Sequence, residues 1–233
     1  MKPIKKNSKK SKSDDKIKFI LFDLNDTVLK HRHFNILLKS AKIFGFKLFR
    51  ALKEFNKLKY AYGLGKLSDK QLTEKVLQAA GRDKKFAKEV TLIYRSNVVE
   101  MPEMLDLLKE LKRKKTYRIK GKIMTKWKNE SERRYKVILL AGDGAEGIIF
   151  KRKTFSLDKY FDMIICTSDL RIHKDDKKFY KKSLRIIKAK PSQCLFIDDN
   201  KRFIATAESV GIETIISTIS QWCCCITSVF TMS

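Results

Sequence analysis

Five short apolar runs, set apart by stretches with helical periodicity, restrict this chain to few folds more than any other feature. They are Lys16–Leu24, Tyr135–Leu140, Phe161–Cys166, Cys194–Ile197 and Glu213–Ile216. Each has the length and β-branched or aromatic content of a strand, and the first stops abruptly at Asp23, as a strand buried on both faces does. Helical segments lie between them. His31–Tyr60 is long, apolar-periodic and free of proline, which predicts one helix. Ser68-Asp-Lys-Gln71 is a capping box that opens a helix through Ala80, with Gly81 as its stop. Asp83–Tyr94 predicts a third helix, and Pro102 starts a fourth over Glu103–Lys112, the position proline favours. Phe179–Lys188 and Ile204–Val210 follow, the last ended by Gly211. Strands alternating with helices imply a parallel sheet with right-handed crossovers, hence a Rossmann-like α/β core. That core takes residues 17–30 and 99–218, with a helical insert over 31–98.

The length of 233 residues suits one sizeable core and a small accessory domain. Hydrophobic residues at 43% fit a soluble globular chain, and no run is long enough for a transmembrane segment. Met1–Asp15 is Lys- and Ser-rich without an apolar region, which reads as no secretory signal, so a cytoplasmic location is expected. Cys166 and Cys194 sit in apolar runs as reduced core residues, whereas Cys223, Cys224 and Cys225, beside Trp222, match no common metal spacing. The net charge of +27 is concentrated: residues 1–18 hold eight lysines against two acids, and 112–136 hold twelve Lys or Arg against two acids. Such patches attract polyanions, so RNA or an anionic surface is a candidate partner. Residues 1–16 read as a basic tail, 113–134 as an irregular basic insert containing Trp127, and 219–233 as an irregular tail.

Ligands of open parallel sheets bind at the carboxyl ends of the strands. There the chain delivers Asp23, the turn Ala141-Gly-Asp-Gly144, Lys174, and the pair Asp198-Asp199. Three converging carboxylates repel one another unless a cation neutralises them, and an all-oxygen set suits Mg²⁺. A lysine beside them balances charge and holds an anionic substrate. The expectation is a site for metal-assisted phosphoryl transfer. Gly142-Asp-Gly144-Ala-Glu-Gly147 also matches G-x-G-x-x-G, the dinucleotide fingerprint. Backbone N–H groups exposed at a helix start give Gly142 and Asp143 a second role, that of binding phosphate.

Phe22-Asp-Leu-Asn-Asp-Thr-Val28, Ile172-His-Lys-Asp-Asp176 and Phe196-Ile-Asp-Asp-Asn200, in that order, resemble the motifs of the haloacid dehalogenase-like (HAD) hydrolases over roughly residues 17–218. The resemblance implies a HAD core carrying a helical C1 cap at 31–98. It implies a Mg²⁺-dependent phosphatase of a small phosphorylated metabolite, with Asp23 as the nucleophile that forms an aspartyl-phosphate. Asp23, the backbone carbonyl of Asn25 and Asp199 then ligate Mg²⁺, with Asp198 behind them. Lys174 stabilises the nucleophile and the phosphoryl group, and Thr27 supports the loop.

Two positions depart from the family pattern. The family's acid/base aspartate, two residues after the nucleophile, is Asn25 here, and an amide does not exchange protons in that way. Asp26 is one residue further on and is expected to point elsewhere. The hydroxyl that binds phosphate after the second core strand is replaced by Ala141. A phosphatase with these changes is expected to be slow. The alternatives are a catalytically silent relative that binds RNA or another polyanion, and a dehalogenase, which the paired acids Asp198-Asp199 disfavour. His31-Arg-His33 reads mainly as a solvated linker at the entrance to the insert, and His173 as an incidental neighbour of Lys174.

Overall fold

The structure is a computed structural model that describes residues 17–31, 33–112, 116–119, 122–125 and 135–217. In chain order the elements are β1 (Phe19–Phe22), β2 (Leu29–Lys30), α1 (His33–Phe44), α2 (Leu48–Gly63), α3 (Asp69–Ala79) and α4 (Ala87–Ser96). Next come β3 (Val99–Glu100), α5 (Pro102–Leu111), β4 (Thr116–Ile119), β5 (Lys122–Thr125), β6 (Lys136–Ala141) and α6 (Ala145–Thr154). The chain continues through β7 (Met163–Cys166), α7 (Thr167–Leu170), α8 (Lys177–Ile187), β8 (Cys194–Asp198), α9 (Lys201–Glu208) and β9 (Glu213–Ile216).

The five apolar runs form one five-stranded sheet in the order β7-β6-β1-β8-β9, with every neighbouring pair parallel. β1 lies at its centre and all four of its residues are buried. Because strand side chains alternate, Ile20 and Phe22 enter one hydrophobic layer with Leu105 and Leu108 of α5 and Ile148 of α6. Phe19 and Leu21 enter the opposite layer with Phe179 and Leu184 of α8 and Ala207 of α9. Each large side chain buried in this way contributes roughly 1.5–3 kcal/mol, so the two layers fix the centre of the sheet and with it the residue that follows Phe22.

The insert packs around its own cluster of Phe46, Leu72, Val76, Leu77 and Val90. It joins the core through the short antiparallel pair β2–β3. The capping box stands as the sequence implies. Ser68 Oγ accepts from Gln71 N at 3.1 Å, and Gln71 Oε1 accepts from Ser68 N at 3.0 Å. Pro102 opens α5.

Two expectations need correction. The single helix over His31–Tyr60 is two helices, α1 and α2, broken where Gly45 adopts φ +66°, a conformation glycine reaches without steric cost. The basic segment 113–134 is not wholly irregular, because β4 and β5 pair as an antiparallel ribbon from Thr116↔Thr125 to Ile119↔Lys122. The tails 1–16 and 219–233, Trp127, and the Cys223–Cys225 cluster lie outside the described residues, and so does most of the surface suggested for RNA or an anionic partner. Among the described residues no helix is long and apolar enough to cross a membrane.

Candidate active site

Sheet register brings the acidic residues together. Phe22 pairs with Ile197, and Asp23 N donates to Ile197 O at 2.9 Å, so Asp23 and Asp198 leave adjacent strands side by side. Both are buried. The loop between α7 and α8 sends Lys174 into the gap, where its side chain is fully buried. Lys174 Nζ donates to Asp23 Oδ1 at 2.6 Å and to Asp198 Oδ2 at 2.5 Å, and it lies over the Phe203 ring at 4.8 Å. Asp198 Oδ1 accepts from Asn200 N at 2.8 Å, so both oxygens of Asp198 are engaged. Asp199 is exposed, yet one ligand oxygen from each of Asp23, Asp198 and Asp199 falls within 4.8 Å of the others.

The electrostatics follow from this crowding. Burial, reinforced by Asp198 and opposed by Lys174, pushes the Asp23 carboxyl from 3.8 up to about 7. Asp199, although exposed at the rim, is pushed up to about 6 by partial desolvation together with the charges of Asp23 and Asp26. For Lys174, burial favours the neutral amine, but Asp198 and Asp23 outweigh it and hold the ammonium charged. With every acid ionised the cluster carries three negative charges against one positive. Its donors are all oxygen, so the group that fits is a hard divalent cation.

A second buried cluster stands beside the first. Lys151, on the core-facing side of α6, is fully buried and makes a short ion pair with Asp143 Oδ2. Lys151 Nζ also donates to Asn25 Oδ1 at 2.9 Å. The other oxygen of Asp143 accepts from Gly144 N at 2.9 Å. Gly142 lies against Lys174, since a Cβ at 142 would come 3.4 Å from Lys174 Cδ. Ala141, the last residue of β6, is buried.

Gly144 and Gly147 have a packing role. A Cβ at Gly144 would lie 2.5 Å from Tyr62 Cζ, and one at Gly147 would lie 2.5 Å from Tyr62 Oη and from Asp143 Oδ1. The spacing that resembles a dinucleotide fingerprint makes room for one tyrosine of the insert. Tyr62 Oη donates to Asp69 Oδ1 at 2.7 Å, and Asp69 N donates to Glu146 Oε2 at 3.0 Å. Thr167 Oγ1 donates to Gly63 O at 2.6 Å, and Tyr60 stacks on His173 with ring centres 4.4 Å apart. The insert thus sits on the carboxyl side of the sheet.

Asp23, Lys174, Asp198 and Asp199 meet in one crevice, as the sequence implies. Asp26 turns away: it takes φ +62° and its Oδ1 accepts from His31 N at 2.9 Å. His31 is not a solvated linker residue. It is buried, and its Nδ1 shares a hydrogen bond of 3.0 Å with Tyr94 Oη. Arg32 and the side chain of His33 lie outside the described residues. Thr27 is buried, and among the described residues its Oγ1 has no hydrogen-bond partner. Sequence reading missed Lys151, Tyr62 and Asp69. The available signal for Lys151 was its spacing of three and four residues from Ile148 and Gly147, the buried face of α6.

A parallel sheet flanked by helices, with carboxylates and a lysine gathered at the strand ends, defines an α/β protein of the Rossmann-like class. Comparison with known proteins narrows this. The model of the haloacid dehalogenase-like hydrolases matches residues 17–211, and the chain belongs to that family. A HAD family enzyme of Bacteroides thetaiotaomicron, solved with magnesium and inorganic phosphate, superposes with a TM-score of 0.70 at 18% identity, over 92% of this chain and 99% of that one. A HAD-like family hydrolase of Porphyromonas gingivalis gives 0.68 at 19%, over 93% and 99%. The L-2-haloacid dehalogenase of Xanthobacter autotrophicus gives 0.60 at 15%, over 85% and 76%. At these identities the likeness is one of fold. A curated relative named "Putative pyrophosphatase PpaX", from Caldanaerobacter subterraneus, is 32% identical over 63 residues, which is 27% of this chain and 29% of that protein.

Proposed function

We propose that this HAD-like hydrolase is a Mg²⁺-dependent phosphatase of a small phosphorylated compound, acting through an aspartyl-phosphate on Asp23. The observation that carries the reading is Lys174, buried between Asp23 and Asp198 with Asp199 at the rim. In this reading Asp23 attacks phosphorus, and Lys174 holds the carboxylate in place and faces the charge that develops on the transferred group. Asp23, Asp199 and the backbone carbonyl of Asn25 would hold the divalent ion, and Asp198, with both oxygens engaged, orients Lys174. When bound, the ion neutralises the excess negative charge and draws the phosphoryl oxygens toward Asp23. The amides of Gly142 and Asp143 stand in for the missing hydroxyl at Ala141 as phosphate donors.

The insert over 31–98 acts as a cap: Tyr62, Gly63 and Asp69 anchor it beside the crevice, which limits access to small molecules. That the Bacteroides enzyme was solved with magnesium and inorganic phosphate supports the choice of ion and group. Turnover is expected to be slow, because loss of a general acid/base costs roughly 10² to 10⁴ in rate. The test is phosphate release from p-nitrophenyl phosphate with and without Mg²⁺. Release that requires Mg²⁺ and disappears in Asp23→Asn supports the reading, whereas release that persists in Asp23→Asn refutes it.

A further inference from the structure

Lys151 is a charged side chain at a position where the fold calls for an apolar one. It shares the inner face of α6 with Gly147 and Ile148 and has no exposed surface. A buried ammonium is costly unless matched, and Asp143 matches it. The further bond from Lys151 Nζ to Asn25 Oδ1 fixes which way the carboxamide faces. An ammonium has only hydrogens to offer, so the amide oxygen must turn toward α6. The amide nitrogen is then turned away from Lys151, and among the described residues it has no hydrogen-bond partner. Asn25 itself is only partly buried.

We propose that Lys151 is a positioning residue that locks Asn25 as a hydrogen-bond donor facing the crevice. The site in consequence takes phosphoryl compounds whose leaving group departs as a stable anion, namely acyl phosphates and phosphoanhydrides, in preference to alkyl phosphomonoesters. This rests on the reading of Asp23 as the nucleophile. In the first step the bond from Asp23 Oδ to phosphorus forms as the bond from phosphorus to the bridging oxygen breaks. The electron pair leaves on that oxygen. A carboxylate or phosphate carries it without a proton, and the Asn25 N–H steadies it. An alkoxide needs a proton, and neither Asn25 nor the buried Lys151, bound to Asp143 and to the amide oxygen, delivers one. In the second step water attacks phosphorus, the bond to Asp23 breaks, the carboxylate is restored, and the proton of water passes to solvent.

The test is a ladder of acetyl phosphate, inorganic pyrophosphate, p-nitrophenyl phosphate and glycerol 3-phosphate, with Mg²⁺ and with Asp23→Asn as blank. The wild-type kcat/KM, which reports the step that expels the leaving group, is expected to be ~10² to 10⁴ times higher for the first two than for glycerol 3-phosphate, the factor a missing general acid leaves. Asn25→Asp alone is expected to slow acetyl phosphate without speeding glycerol 3-phosphate, because Lys151 draws the new carboxylate inward and the donor is lost. Combining Asn25→Asp with Lys151→Met and Asp143→Asn removes the ion pair as a unit, so no charge is left buried alone. Position 25 is then free to turn and give up a proton, and glycerol 3-phosphate should gain ~10-fold or more. Should the triple variant fail to fold, the wild-type ladder and the single variant still decide. Equal kcat/KM values along the ladder overturn the proposal, and so does a gain in kcat/KM on glycerol 3-phosphate in Asn25→Asp alone. If a folded wild type that binds Mg²⁺ releases phosphate from none of the four, the phosphatase reading falls and this one with it.

Discussion

Raising the pH of the metal-free protein is expected to destabilise it in a way traceable to Asp23. The carboxyl is pushed from 3.8 to about 7 in the fold, first by burial and then by Asp198, against the pull of Lys174. The folded state therefore binds this proton more tightly than the unfolded chain. Stability from this source is fully present below about pH 4 and is lost as the pH climbs through about 7. At ~1.4 kcal/mol per pH unit, the loss across that window is on the order of 4 kcal/mol. Asp199, raised to about 6, has the same sign, but it is exposed, and solvent screening reduces its share to on the order of 1 kcal/mol or less.

The assay is urea unfolding from pH 4 to pH 8 without divalent ions, for wild type and for Asp23→Asn, which lacks the titration. The difference between the two is expected to shift against the wild type as pH rises. Mg²⁺ at pH 8 should restore the wild type by ~2.7 kcal/mol at a hundredfold excess over its dissociation constant. Parallel pH profiles would show that Asp23 is not held at a raised value. A fall that Mg²⁺ does not reverse would show that the carboxylates do not form a cation site.

Gly144→Ala should cost roughly 1–3 kcal/mol, because its Cβ would strike the Tyr62 ring, and shortening Tyr62 in the same chain should recover part of that in urea unfolding. Ser68→Ala removes the acceptor of Gln71 N and should lower stability by ~1 kcal/mol, with phosphate release unchanged. Lys174→Met leaves Asp23 and Asp198 buried against each other and should abolish phosphate release and lower the urea midpoint by the equivalent of ~3–5 kcal/mol.

The sheet and its acidic crevice were legible in the sequence for one reason. Strands buried on both faces read as unbroken apolar runs, so the residues just beyond them, Asp23 and Asp199, stand out at the end where ligands bind. Lys174 was legible only through the motif around it, since a lone lysine on a loop has no pattern. The break between α1 and α2 was not legible. A single glycine inside a periodic stretch costs a helix only ~1 kcal/mol, and the apolar residues around Gly45 keep the period. The β4–β5 ribbon was hidden because lysine and arginine dilute the alternation that marks a strand. His31 looked like a linker residue because the tyrosine that buries it, Tyr94, is 63 positions away.

Lys151 shows the deeper limit. In the sequence it opens the run Lys151-Arg-Lys153 in the last turn of α6, where cations are expected for the helix dipole and read as solvated. Arg152 does behave so, pairing with Asp158 at the surface. What separates the two neighbours is one step of about 100° around the helix, which turns Lys151 inward to Asp143. Asp143 in turn shares the space above Gly147 with the Tyr62 hydroxyl, so one carboxylate touches both the seam with the insert and the lysine that holds Asn25. Gly144 and Gly147 admit the tyrosine, and Asp143 admits the lysine. The short Gly-rich turn after β6 therefore seats the insert and sets the orientation of Asn25 at once, and a change at either contact should be felt at the other.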